Sequence, residues 1–300
     1  MGNAIKEVFS GQGFEMKLDE PLAKHTTFKI GGPAPVYIEP KTHEELQNIV
    51  SACKANSFPF FIMGLGSNLL IDDKGFEGVV LHLRGIFIQT QALNQGNKVV
   101  IKAGAGVTLP LLIKKCADNF ASGTECLAGI PGTVGGALIM NTGTKYGSIS
   151  DKLSSVTVLK PDGGIIDLRK NELSFSYRHS SLAQYIVLSA EFLLDFAPNE
   201  TIVKKITDYM LNRAETQPLS VPSAGSVFKN PPEKKAWQLI DACGLRGLKI
   251  GGAQISEKHA NFIINTGNAK SSDVKELIET IQKKVKENTG IMLEPEIKIL

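Results

Sequence analysis

Four cysteines, one tryptophan and no long apolar run are the first features of this 300-residue chain. Cys53, Cys116, Cys126 and Cys243 share no CxxC spacing. That argues against a disulfide framework or a structural zinc site, and fits small buried hydrophobes in a reducing compartment. The histidines His25, His43, His82, His179 and His259 have no metal-ligand spacing, so no metal is expected. No stretch approaches the roughly 18 apolar residues that cross a bilayer. The opening Met1-Gly2-Asn3-Ala4-Ile5-Lys6 lacks the apolar core of a secretory signal. Lys6 also stands where a myristoylation signal needs Ser or Thr. A net charge of +3 is too mild to call for nucleic acid. The basic stretch Lys283-Lys284-Val285-Lys286 continues a helical apolar stripe of Val274, Leu277, Ile278 and Ile281, so it reads as a solvated helix face. The expectation is a cytoplasmic chain with no nucleic-acid or membrane partner and no obligate protein partner.

What is present is an alternation of helix and strand signals. Residues 44–56 read as a helix with Leu46, Ile49, Val50 and Cys53 on one face. Strand-like runs follow at 58–62, 78–83, 86–91 and 98–103. Thr108 is a natural N-cap for a helix carrying Leu109, Leu112, Ile113, Cys116 and Phe120. Lys160-Pro161-Asp162-Gly163-Gly164 predicts a hairpin turn between strands at 154–160 and 165–169, and 186–194 reads as another strand. Beyond residue 200 helices dominate: one from about 202 to 213, one at 233–243 stopped by Gly244, and one from Ser271 or Ser272 to Gly290. Residues 296–300 read as a terminal strand. The fold class is α+β, β-rich to about residue 200 and then a smaller α+β part.

Two glycine-rich segments have the composition of phosphate cradles. One is Gly64-Leu65-Gly66-Ser67-Asn68-Leu69-Leu70, directly after a strand. The other is Gly129-Ile130-Pro131-Gly132-Thr133-Val134-Gly135-Gly136. Glycines let backbone N–H groups converge on an anion and let a pyrophosphate approach closely. Neither fits a Walker A loop, since no Gly-Lys-Ser/Thr follows, and Gly64-Leu65-Gly66 lacks the third Rossmann glycine. Each alone reads as a tight turn, but two in one β-rich region shift the reading toward a dinucleotide.

These two loops resemble those of FAD enzymes of the vanillyl-alcohol-oxidase type. Within that group the chain resembles the UDP-N-acetylenolpyruvoylglucosamine reductases. The match is carried further by His25-Thr26-Thr27-Phe28-Lys29-Ile30-Gly31-Gly32, by Phe175-Ser176-Tyr177-Arg178-His179-Ser180, by Gly225-Ser226-Val227-Phe228-Lys229-Asn230-Pro231, and by Leu293-Glu294-Pro295-Glu296-Ile297. It looks like the shorter class of the family, since Arg178 and Ser226 lie too close in the chain to hold the inserted tyrosine segment of the longer class.

The resemblance implies a two-part FAD-binding region, with one part at 1–80 joined by the terminal strand at 290–300, and a second at 81–210. A UDP-sugar-binding domain would follow at 211–289. It implies non-covalent FAD held by Gly64, Leu65, Gly66, Ser67, Asn68 and Leu69 together with Gly129, Ile130, Pro131, Gly132, Thr133, Gly135 and Gly136. NADPH would be co-substrate and UDP-N-acetylglucosamine enolpyruvate the molecule reduced. Arg178, Ser226 and Glu296 match the family's catalytic residues. Ser226 would protonate a substrate carbon while Arg178 and Glu296 serve the charge growing on the carboxylate. Gln217, Lys229 and Asn230 are candidate substrate contacts by their place around Ser226. Tyr146 is a fourth, in a segment one residue longer than the family's usual form. Two other readings stay open: a different FAD oxidoreductase on the same binding fold, and a flavin- or UDP-sugar-binding protein without catalysis.

Overall fold

The computed structural model describes residues 1–300, and by packing the chain divides into two compact units. The first comprises Met1–Leu18, Val36–Gly64 and Gly78–Asn212. The second comprises Asp19–Pro35, Leu65–Glu77 and Arg213–Leu300. This division follows packing and not binding roles.

Strands Pro33–Ile38, Val79–Leu81 and Phe60–Ile62 lie parallel in that order, with Met16–Pro21 at the edge. A larger antiparallel sheet runs Ile165–Arg169, Leu153–Leu159, Ile186–Phe196, Lys98–Gly104, Thr90–Gln95. Ala121–Ser122 also pairs with Ile186–Phe196. The helix His43–Ala55 starts where Thr42 accepts the Glu45 N–H at 3.1 Å, and it buries Leu46, Ile49, Val50 and Cys53. The helix Leu109–Asp118 starts at Thr108 as expected and ends before Phe120. Phe120 instead takes a left-handed φ of 56°, is 46% exposed, and stacks on Phe196, so it is no part of that helical face. The run expected as a strand at 86–91 is a 3-10 turn, Gly85–Ile88, followed by the strand Thr90–Gln95. Arg84 N–H bonds Pro40 and Ile86 N–H bonds Lys41, which pulls the chain into a turn and buries Phe87. The core takes in Ile5, Phe9, Val36, Leu112, Leu188 and Phe192.

The Asp195 carboxylate on the large sheet lies between Lys98 and Lys152, whose hydrogen bonds hold it down at about 2. A carboxyl depressed in the folded state stabilises above its ordinary value of 3.8, and this is lost as pH falls toward 2. The group is 46% exposed, so the contribution is under about 1 kcal/mol. Urea denaturation of Asp195→Asn should show a small loss at pH 6 that shrinks by pH 3. An equal loss at both pH values would remove the carboxylate's charge from the explanation.

The second unit carries its own core, including Phe28, Leu70, Val227, Phe228, Ile255, Ile263, Val274, Leu277 and Ile281. Its sheet runs Ser223–Ser226, Phe262–Asn265, Ala253–Ile255, Lys249–Ile250, all antiparallel. The end of the chain forms the strand Lys298–Ile299, which pairs in parallel with Leu69–Leu70. The helix Ser271–Thr289 buries Val274, Leu277, Ile278, Ile281 and Val285 and closes on Gly290 at φ 73°. Lys283, Lys284 and Lys286 are exposed on it.

The start of that helix is capped from far away in the chain. Asp73 accepts the Ser271 N–H at 2.8 Å, the Ser271 hydroxyl at 2.9 Å and the Ser272 N–H at 3.4 Å. Its own segment is held by Gly32, whose N–H donates to Asp72 at 2.8 Å. A Cβ on Gly32 would stand 2.2 Å from the Asp73 carbonyl oxygen, so the Ile30-Gly31-Gly32 motif serves close backbone packing. Asp73→Ala should cost about 1–2 kcal/mol by chemical denaturation. An unchanged midpoint would show that water replaces the cap.

Candidate functional site

The second glycine segment is a loop feeding the short helix Val134–Ile139. Helix N-termini are ready anion sites, but here the first N–H groups are spent inside the protein. Val134 donates to Val107 at 2.8 Å, Gly135 to Ala105 at 2.9 Å, and Gly136 to the Thr133 hydroxyl at 3.4 Å. The surface left for a ligand is therefore the bare backbone of Gly129, Gly132 and Gly136, not a ring of helix N–H donors. Gly129 and Gly132 have φ of 73° and 158°, and Gly136 is exposed. Gly64 meets this loop closely: a Cβ there would stand 2.6 Å from Thr133 Oγ1. The start of the first glycine segment thus packs against the second through the Thr133 side chain, which leaves no room for a side chain at position 64.

Further along the first unit, Arg178 sits at the tip of a two-residue hairpin joining Phe175–Ser176 to His179–Ser180. Its φ is 57°, a left-handed value costly for a side-chain-bearing residue. The tip is braced by Asn141, also left-handed at φ 43°, whose Nδ2 donates to the Ser176 carbonyl at 3.0 Å. Ser180 donates its hydroxyl to Ile139 at 2.9 Å. The Arg178 guanidinium lies 5.1 Å from the Tyr177 ring centroid, and its Nη1 reaches the Gly143 carbonyl at 3.4 Å. The structure therefore brings Arg178 to the base of a second hairpin, Gly143–Thr144 with Gly147–Ser148. Tyr146 is at the tip of that hairpin, where its ring stacks on Tyr209 at 4.0 Å and 43% of it is exposed. Asn141 Oδ1 is buried with no hydrogen-bond partner, an acceptor suited to a ligand donor. Sequence reasoning did not single out Asn141. A polar residue just after a helix gives no signal until its backbone angle and partner are visible.

In the second unit Ser226 ends the strand Ser223–Ser226, and Glu296 is hydrogen-bonded beside it. The Glu296 N–H donates to the Val227 carbonyl at 2.7 Å, and Phe228 bridges to Pro295. Asn68 donates its Nδ2 to the Glu296 carbonyl at 3.1 Å, placing the loop of Leu65, Gly66, Ser67, Asn68 and Leu69 beside the same segment. Thr27 ties the pieces together, giving its hydroxyl to Ser223 at 2.7 Å and its N–H to Gly66 at 3.3 Å. Ser226 and Glu296, 70 positions apart in sequence, thus share one backbone junction within this unit.

The candidate substrate contacts in this unit differ in kind. Gln217 Oε1 is buried without a partner. Lys229 is already engaged, its Nζ 2.5 Å from Glu294. Asn230 accepts the Ala236 N–H at 3.0 Å and so caps the helix Ala236–Ala242. Burial pushes the Cys53 and Cys116 thiols up to about 12 and Cys126 to about 11, which leaves them protonated and unsuited to nucleophilic work.

Residues 34–169 match the model of an FAD binding domain, and residues 217–300 match that of the UDP-N-acetylenolpyruvoylglucosamine reductase C-terminal domain. A crystal structure of UDP-N-acetylenolpyruvylglucosamine reductase from Thermus caldophilus superposes with a TM-score of 0.80 at 38% identity, covering 95% of this chain and 98% of that one. The class is therefore an α+β flavoprotein, with an FAD binding domain and a smaller α+β C-terminal domain. The UDP-N-acetylenolpyruvoylglucosamine reductase of Caldanaerobacter subterraneus is 44% identical over 95% of this chain and 94% of its own. That of Listeria monocytogenes serotype 4a is 45% identical, with 95% of each covered. The chain belongs to the UDP-N-acetylenolpyruvoylglucosamine reductase family.

Proposed function

We propose that the chain reduces the enolpyruvyl group of UDP-N-acetylglucosamine enolpyruvate to a lactyl ether, giving UDP-N-acetylmuramate for peptidoglycan precursors. FAD, bound without a covalent link, would supply the redox chemistry, with NADPH as the source of the hydride that reduces the alkene. The observation that carries the reading is identity of 44–45% to enzymes of that name across nearly the whole chain. It is supported by the convergence of Ser226 and Glu296 on Val227.

The residues then take these roles. Residues 1–80, the terminal strand at 290–300 and residues 81–210 serve FAD, through segment 64–69 and segment 129–136. Residues 211–289 bind the UDP-sugar. Arg178 offers a planar cation to the substrate carboxylate as charge moves onto it. Its strained position, fixed by Asn141, preorganises that guanidinium at the hairpin tip. Glu296 supports the same developing charge. Ser226 delivers a proton to the substrate carbon, feasible for a weak acid because the carbanion-like partner is a strong base. Gln217 uses its open acceptor for a substrate donor, whereas Lys229 must leave Glu294 to reach a phosphate. Asn230 and Tyr146, held by Ala236 and Tyr209, are the weaker contacts. No helix is long and apolar enough to cross a membrane, and we place the chain in the cytoplasm without an obligate protein partner.

The test uses flavin colour. The purified protein should be yellow, bleach on anaerobic addition of NADPH, and regain the oxidised spectrum when UDP-N-acetylglucosamine enolpyruvate is added. Bleaching without recovery would leave a flavin reductase and remove the proposed substrate.

A further inference from the structure

The strand that ends in Ser226 is irregular at the place that matters. Ser223 pairs with Ile264 and Ser226 with Phe262, so one extra residue is accommodated between them. Gly225, at φ 76°, takes up the bulge. A bulge re-aims the side chain that follows it, so the direction of Ser226 depends on how firmly the chain is held on either side. Upstream the hold is the Thr27 hydroxyl on the Ser223 carbonyl.

Downstream the hold combines one buried side chain with backbone bonds. Asn261 is 4% exposed and pairs with Phe228 in both directions. The Phe228 N–H donates to Asn261 Oδ1 at 3.0 Å, and Asn261 Nδ2 donates to the Phe228 carbonyl at 2.8 Å. The Asn261 carbonyl also accepts the Val227 N–H at 2.8 Å. The opposite edge of the Val227 peptide, its carbonyl, takes the Glu296 N–H. One primary amide therefore completes, with these backbone bonds, the anchor of the segment that presents Ser226 and to which Glu296 is joined. Asn261 is itself fixed by its N–H to His259 Nδ1 at 3.3 Å, in a turn closed by the Phe262 N–H on the His259 carbonyl at 2.9 Å.

We infer that Asn261 is a positioning residue for the protonation step, acting through the Val227-Phe228 backbone to hold Ser226 and Glu296 in register. The inference rests on the reading of Ser226 as proton donor. A buried primary amide facing a peptide N–H and C=O supplies an acceptor and a donor on separate atoms, so both bonds form at once without charge. Asn261→Asp keeps the acceptor and replaces the donor by an oxygen that repels the Phe228 carbonyl. Asn261→Ser removes both contacts without adding charge. A displacement of the serine by about 1 Å costs about 10²-fold in rate.

The experiment is anaerobic stopped-flow absorbance of the flavin in Asn261→Asp, Asn261→Ser, Ser226→Ala and the double variant Asn261→Ser/Ser226→Ala, with flavin content measured for each. Both Asn261 variants should retain FAD and be reduced by NADPH at the wild-type rate. Reoxidation by the enolpyruvyl substrate should be about 10²-fold slower. The double variant should be no slower than Ser226→Ala alone, because positioning has no value once the serine is gone. If the two losses multiply, Asn261 acts independently of Ser226 and the inference falls. It also falls if both Asn261 variants reoxidise normally while Ser226→Ala does not, or if they lose FAD or slow both half-reactions equally. A normal rate in Ser226→Ala would instead overturn the proton-donor reading itself.

Discussion

Ser226→Ala should bind FAD, accept electrons from NADPH at close to the wild-type rate, and lose reoxidation by the enolpyruvyl substrate by at least about 10²–10⁴-fold. The separation of effects follows from the chemistry. Reduction of FAD by NADPH contains no proton transfer to a substrate carbon, whereas the second half-reaction ends on one. The serine hydroxyl is half-buried at the end of a braced strand, so its removal perturbs little of the packing. Ser226→Cys should recover part of the rate, since a thiol of similar size is the stronger acid. Stopped-flow absorbance resolves the two halves. Equal slowing of both would mean that Ser226 supports the flavin or the fold.

The second large effect is expected at the glycine junction. Gly64→Ala should lower FAD occupancy, because the added methyl would stand 2.6 Å from Thr133 Oγ1 and 3.3 Å from Thr133 Cγ2. Relief requires Thr133 to turn away. That releases its hold on the Gly136 N–H and shifts the loop, at about 1–3 kcal/mol of overpacking. The corresponding loss of FAD affinity is about tenfold or more. Gly136→Ala is the informative companion. Its Cβ meets only Thr133 Oγ1, at 3.5 Å, so folding should be unharmed and helix propensity improved. Flavin content after gel filtration, together with a thermal melt of the apoprotein, separates the two cases. If Gly136→Ala is stable and keeps its FAD, the Gly136 surface is not part of the cradle. If Gly64→Ala keeps its FAD, the junction with Thr133 is a turn and nothing more.

Much of the secondary structure was legible in advance because it is locally encoded. The caps at Thr108 and Gly290, the apolar stripes of His43–Ala55 and Ser271–Thr289, and the turn at 160–164 all depend on neighbours within a few residues. Family membership was legible for a different reason, since the segments around Gly64, Gly129, Arg178, Ser226 and Glu296 occur together and in order. The small C-terminal sheet was not anticipated. Its strands Lys249–Ile250, Ala253–Ile255 and Phe262–Asn265 have two to four residues, too few for a period of two to show.

By itself, then, the sequence determined the longer helices and the tight turns, which are written in contiguous residues, and the family, which is written in ordered motifs; the short helices Gly2–Phe9 and Val134–Ile139 were not anticipated. Tertiary structure alone decided which distant segments share a hydrogen-bond network. Asp73 caps a helix beginning at Ser271, Lys298–Ile299 pairs with Leu69–Leu70, and Asn261 closes on Phe228. Tertiary structure also decided that the Val134–Ile139 N-terminus gives its N–H groups to Val107, Ala105 and Thr133 and not to a ligand. The physical reason is common to all of these. A buried polar group must find a partner, and which partner it finds is set by the packing of apolar faces that bring remote backbone together.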